Sequence, residues 1–177
     1  MLCLQDKVID IIHSLNERQV YDCIEKVWEI CKASKTCNDV KLSFASFTIF
    51  GVLFFHIEMY NEARMMFEFY RDLASEIENW PHLMVAYEWI GKTLQASRDY
   101  QLAIIAFKKM LQMAWITNST DFEVKAYGHL AKQYFYLQFV AKSNFYSDRA
   151  LRGKLEDVNS GQRKVAHELF QRSRKLV

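Results

Sequence analysis

The residues able to act as nucleophile, base or metal ligand are few and scattered. Histidines stand at His13, His56, His82, His129 and His167, and cysteines at Cys3, Cys23, Cys31 and Cys37. A structural zinc site needs such donors in close pairs. No CxxC pair occurs here, and no paired histidines follow the cysteines. Nothing in the spacing directs Cys31 towards a histidine for nucleophilic catalysis. Carboxylate pairs exist on paper among Glu58, Glu62 and Glu68, or at Glu76 and Glu78. At such spacings acids on a helix ordinarily form a solvated face. A phosphate loop needs clustered glycines ahead of a helix. The five glycines, Gly51, Gly91, Gly128, Gly153 and Gly161, are isolated. GxSxG, HExxH and the dinucleotide-binding signature are absent. The sequence nominates no catalytic residue, no metal ligand and no cofactor, and it reads as a protein that binds rather than an enzyme.

The elements behind these residues are helices. The chain has 177 residues, 51% hydrophobic and 25% charged, with a single proline, Pro81. That length suits one domain, and so little proline and glycine favours long helices over a turn-rich β fold. The aromatic share of 15% supplies large side chains for a core. The net charge is +2, but residues 142–177 carry +5 and residues 1–141 carry −3. The C-terminal segment is thus a basic pole on a mildly acidic body. The cysteines are expected as reduced thiols, since the first residues turn charged too early for a secretory signal. The longest apolar stretch, Phe47 to Phe55, is short of the ~20 residues a membrane span needs. The sequon Asn118-Ser119-Thr120 is expected to be a turn between helices.

A repeat with a forty-residue offset organises the chain. Aligning Gly51 with Gly91 brings Phe47 onto Tyr87, Phe50 onto Ile90, Phe54 onto Leu94, Ala63 onto Ala103 and Phe67 onto Phe107. A further step places Tyr127, Leu130, Ala131, Tyr134, Ser143, Ser147 and Ala150 in the same positions. One step back, Cys23 and Val27 take the places of Ala63 and Phe67. These spacings mark one face of a helix, with a small residue where a second helix crosses closely. Each unit reads as a helical hairpin. Helices are expected near 4–15, 18–34, 39–57, 60–78, 82–96, 100–117, 121–138, 141–156 and 160–176. Pro81 suits a first turn, and Asp99, Thr120 or Asp121, and Ser160 are candidate caps.

The order aromatic, aliphatic, Gly/Ala, then Ala and Phe, resembles the tetratricopeptide repeat family. Tyr87, Ile90, Gly91, Leu94, Ala103 and Phe107 carry the match best, with Met110 in place of the family's last small residue. The family period is 34; the longer period here resembles that of the spindle-orientation scaffolds that bind Gα subunits, and of rapsyn. The resemblance covers roughly 18–158. It implies an all-α, right-handed solenoid of one domain over 1–177, with units at about 4–43, 44–83, 84–123 and 124–158 and a capping helix at about 160–176. It also implies a scaffold or adaptor that takes a partner protein's peptide or subunit in a concave groove lined by first helices. By repeat position that lining is Ala45, Thr48, Val52, Phe55 and His56, then Val85, Glu88, Lys92, Gln95 and Ala96, then Lys125, His129, Lys132, Phe135 and Tyr136. Of these, Val52, Phe55, Glu88, Lys92, Gln95, Lys125, His129, Lys132, Phe135 and Tyr136 are the expected partner-binding residues. Some family members clamp a carboxylate with lysines and asparagines. Lys125 stands at one clamp position and His129 near another, while Thr48, Val52 and Trp89 occupy the neighbourhood of the missing asparagines.

Two further expectations follow. The basic segment, with Arg149, Arg152, Lys154, Arg163, Lys164, Arg172, Arg174 and Lys175, offers an alternative function as a module for nucleic acid or an acidic tail. Phe44, Phe47 and Phe50 make the N-terminal half aromatic enough to suggest self-association. The expected setting is cytoplasmic, and long repeats of this kind extend it to cytoskeletal and ciliary assemblies.

Overall fold

The computed structural model describes residues 15–37 and 40–152. Among them the regular structure is entirely helical: α1 (Glu17–Cys37), α2 (Val40–His56), α3 (Tyr60–Glu76), α4 (Trp80–Ala96), α5 (Tyr100–Ile116), α6 (Thr120–Tyr136) and α7 (Val140–Arg152). The expected helix at 4–15 falls, but for Leu15, outside the described residues, as does the capping helix at 160–176. The molecule divides into two compact units, Met1–Ile77 and Glu78–Val177. In the first, α2 packs against α1 and α3. In the second, α4 packs on α5, α5 on α6 and α6 on α7, and α4 also touches α6.

From α2 onwards the helices begin every twenty residues. The sequence repeat of forty is therefore two equal steps, one helix each. Each joint between steps has one residue in the left-handed region. Glu58, Glu78, Arg98, Asn118 and Gln138 all have positive φ, between 52° and 67°. The bonds at these joints close the helix ends. The Arg98 N–H donates to the Gln95 carbonyl (3.1 Å) and the Asp99 N–H to the Leu94 carbonyl (2.8 Å). The same pair recurs from Glu58 and Met59 to Phe55 and Phe54, and from Gln138 and Phe139 to Phe135 and Tyr134. This is the Schellman closure, normally built on glycine. Its residue in the left-handed region is what stops α6 at Tyr136, short of the expected 138.

Helix starts differ from expectation in their caps. Asn79 caps α4, accepting from the His82 N–H at 3.3 Å, with Pro81 in the first turn. Asp99 and Ser119 stand at the N-caps of α5 and α6 without a side-chain cap bond. Thr120 is already helical, so neither it nor Asp121 is the cap.

The small residues of the repeat do what their spacing requires. A Cβ on Gly51 would stand 2.5 Å from the Phe67 ring, and one on Gly91 equally close to the Phe107 ring. Both rings are fully buried, each worth about 1.5–3 kcal/mol of apolar transfer. In the third repeat Ala131 and Ser147 replace the Gly–Phe pair, and α7 is held differently. The Ser143 hydroxyl donates to the Ala131 carbonyl at 3.0 Å. Phe44 and Phe50 are buried, so these two rings are not available to a second copy of the chain. Phe44 meets Tyr70 edge-on at 5.1 Å within its own unit.

Candidate partner-binding site

Within the second unit, α4 and α6 lie side by side and present matching stripes. Glu88, Lys92 and Gln95 fall at i, i+4 and i+7 on α4; Lys125, His129, Lys132 and Tyr136 continue at i, i+4, i+7 and i+11 on α6. The two helices are joined across this face by polar contacts. The Glu88 carboxylate accepts from Lys92 Nζ (2.7 Å) and lies 3.5 Å from His129 Nε2. Gln133 Nε2 donates to Gln95 Oε1 at 2.6 Å. Behind them the His129 ring stacks flat on Phe107, with centroids 4.4 Å apart. The same phenylalanine thus fills the hollow above Gly91 and supports a histidine of the site.

Glu88 is the electrostatic centre. Burial by itself would raise its carboxyl. The hydrogen bond from His129, the charge and hydrogen bond of Lys92, and the charge of Lys125 together outweigh that burial and bring it down to about 2. It is therefore ionised across the whole neutral range, and it occupies the charge of Lys92. Lys92 Nζ also lies over the Trp89 ring at 4.6 Å.

Lys125 and Lys132 are different. Both are exposed, seven residues and so ~10.5 Å apart along α6. Neither makes an ion pair within 4 Å among the described residues. Each leans on a ring instead, Lys125 over Phe122 (5.4 Å) and Lys132 over Tyr136 (5.9 Å). Tyr136 is itself stacked on Tyr100 at 4.9 Å. Phe135, beside it, is 67% exposed.

The expected set is thus brought together in part. Glu88, Lys92, Gln95, Lys125, His129, Lys132, Phe135 and Tyr136 all belong to the second unit. Val52 and Phe55 belong to the first. Val52 is only 1% exposed and offers a partner no surface, while Phe55 is half-buried with its ring against Tyr60. Sequence reasoning missed Gln133, which is fully buried and ties α6 to α4. The available signal was a long polar side chain in a register position where the preceding repeat has Thr93.

Of the basic C-terminal segment, three cations fall in the described residues. Lys142 sits over Phe139 and Tyr134, Arg149 over Phe145, and Arg152 is 3.3 Å from Asp148. The remainder of the segment lies outside the described residues.

The comparison with solved structures bears on this arrangement. The crystal structure of the TPR domain of Arabidopsis FLU matches with a TM-score of 0.58 at 21% identity, over 64% of this chain and 95% of that one. The chain has a TPR-like fold. No protein-family model matches it, and no curated protein sequence does. The TPR-like hairpins here interlock at Gly51–Phe67 and Gly91–Phe107. They carry this interlock on seventeen-residue helices joined by three-residue turns.

Proposed function

We propose that the protein is a non-catalytic scaffold that holds a segment of another protein across the α4/α6 face of its second unit. The observation that carries this reading is the pair of exposed cations, Lys125 and Lys132, neither of them in an ion pair within 4 Å among the described residues, beside a Glu88–Lys92 pair that neutralises itself. Glu88 is consumed by Lys92 and His129. The bed is fixed by cross-helix contacts, so little ordering is needed when a partner arrives. Flanking rings at Tyr136 and Phe135 add apolar area for a side chain of the partner. The TPR-like fold supports a partner of protein type, since paired first helices of such hairpins form a surface suited to a peptide.

Affinity capture with the full chain tests this. Lys125→Glu/Lys132→Glu is compared with wild type and with Lys109→Glu, a charge reversal at an exposed site on α5. The double variant is expected to lose the captured proteins and Lys109→Glu to keep them. An unchanged set with the double variant refutes the site.

A further inference from the structure

We propose that the α6–α7 tip, residues 135–142, docks on an anionic lipid surface. The argument begins with a comparison internal to the chain. Phe135 occupies the register position of Gln95, and Phe139 that of Asp99. Two sites that are polar in the preceding repeat, and hold the half-buried Phe55 and Met59 in the one before it, are phenylalanine here, with rings 67% and 53% exposed. The adjoining Val140 is also exposed. Phe139 meets Tyr134 edge-on at 6.4 Å, yet both rings keep more than half of their surface in water, and large apolar groups clustered in water usually mark a contact surface.

The charge around them has one sign. Residues 124–147 contain no Asp or Glu, but contain Lys125, Lys132 and Lys142. Lys142 Nζ lies 5.4 Å from the Phe139 ring centroid. The acids that bound this stretch are engaged elsewhere. Glu123 is buried and accepts from Trp115 Nε1 and the Tyr127 hydroxyl, both at 3.1 Å, and Asp148 pairs with Arg152. The neighbouring α4–α5 tip, reached through the Tyr100–Tyr136 stack, brings Arg98 and Asp99, whose charges cancel.

An aromatic tip with a lysine rim is the chemistry of a membrane–water interface. Exposed phenylalanines supply apolar area that is buried at the headgroup–acyl boundary, and lysines there are attracted by anionic headgroups. An acidic protein segment would satisfy the lysines but needs its own pocket for two protruding rings; a lipid interface accepts them without one. Among the described residues no helix is long and apolar enough to cross a membrane, so the contact is peripheral. This surface shares Phe135 with the α4/α6 face and adds Phe139 and Lys142, which lie outside that face.

Flotation of the full chain with phosphatidylcholine vesicles, with and without phosphatidylserine, tests the proposal. The chain is expected to float with the phosphatidylserine vesicles and to be released by salt. Phe135→Ser/Phe139→Ser is expected to weaken binding by about tenfold or more, and Lys142→Glu by about fivefold or more. Ile105→Ser, at an exposed apolar site on α5, should change nothing, and thermal melts should show every variant folded. Failure of the wild type to float overturns the proposal. So does equal flotation of the double phenylalanine variant, or an equal loss in Ile105→Ser. Capture of soluble polyglutamate through Phe135 and Phe139, without vesicle binding, would assign the tip to an acidic protein instead.

Discussion

At the scale of the residue, glycines of identical type have opposite roles. Gly91 lies where any side chain would strike the Phe107 ring, which is buried and stacked on His129. Gly91→Ala gains up to ~1 kcal/mol of helix propensity, but overpacking against a ring that cannot swing away costs about 1–3 kcal/mol. A lower melting temperature is expected in a thermal unfolding scan. Gly128 has nothing within 4 Å of a Cβ. There only the propensity remains, so Gly128→Ala is expected to raise the melting temperature by a few degrees, corresponding to ~0.5–1 kcal/mol. Glu88 makes a pH prediction. Its folded carboxyl is depressed from 4.5 to about 2, so its stabilisation is complete above the unfolded value and is lost as pH falls through the folded one. The contribution is on the order of 3 kcal/mol. Melts of wild type and Glu88→Gln should differ most at neutral pH and converge between pH 4.5 and 2. A difference that is constant with pH would remove Glu88 from the electrostatics of the site.

At the scale of the element, the joints hold the clearest unused stability. Arg98 sits at φ 67° with its side chain exposed. Glycine tolerates that conformation at no steric cost, so Arg98→Gly is expected to stabilise by about 0.5–1 kcal/mol, readable as a rise in denaturant midpoint. The helices themselves were legible in the sequence because apolar spacing and small–bulky pairs repeat, and Gly51, Phe67, Gly91 and Phe107 stand in the predicted relation. The joints were legible in position, as with the turn expected at Asn118-Ser119-Thr120, but not in conformation, because no glycine marks the left-handed residue; Glu58, Arg98 and Gln138 look like ordinary helix formers. The site was half legible. Repeat position brought Lys125, His129 and Lys132 onto one stripe, but which lysine is neutralised depends on Glu88 reaching both Lys92 and a second helix. The burial of Val52 depends likewise on packing that repeat position alone does not express.

At the scale of the whole molecule, stability is unevenly spread. In the second unit α4, α5 and α6 bury long runs of side chains, whereas Ser143 is the buried residue of α7. Hydrogen exchange is expected to be fastest in α7 and slowest in α4 to α6. Equal protection across all four would mean that α7 is held by more than its described contacts. The two proposed surfaces adjoin in this unit and share Phe135, with a protein segment across α4 and α6 and a lipid surface at the α6–α7 tip. Salt should weaken both, since lysines contribute to each, but only the second should respond to Phe139.

The repeated joint also bears on which residues the corners accept. Its punctuation is written in backbone angle, with Glu, Glu, Arg, Asn and Gln interchangeable at the same φ. Where this chain turns is thus set by backbone conformation, and the residue type at each corner is left free to vary.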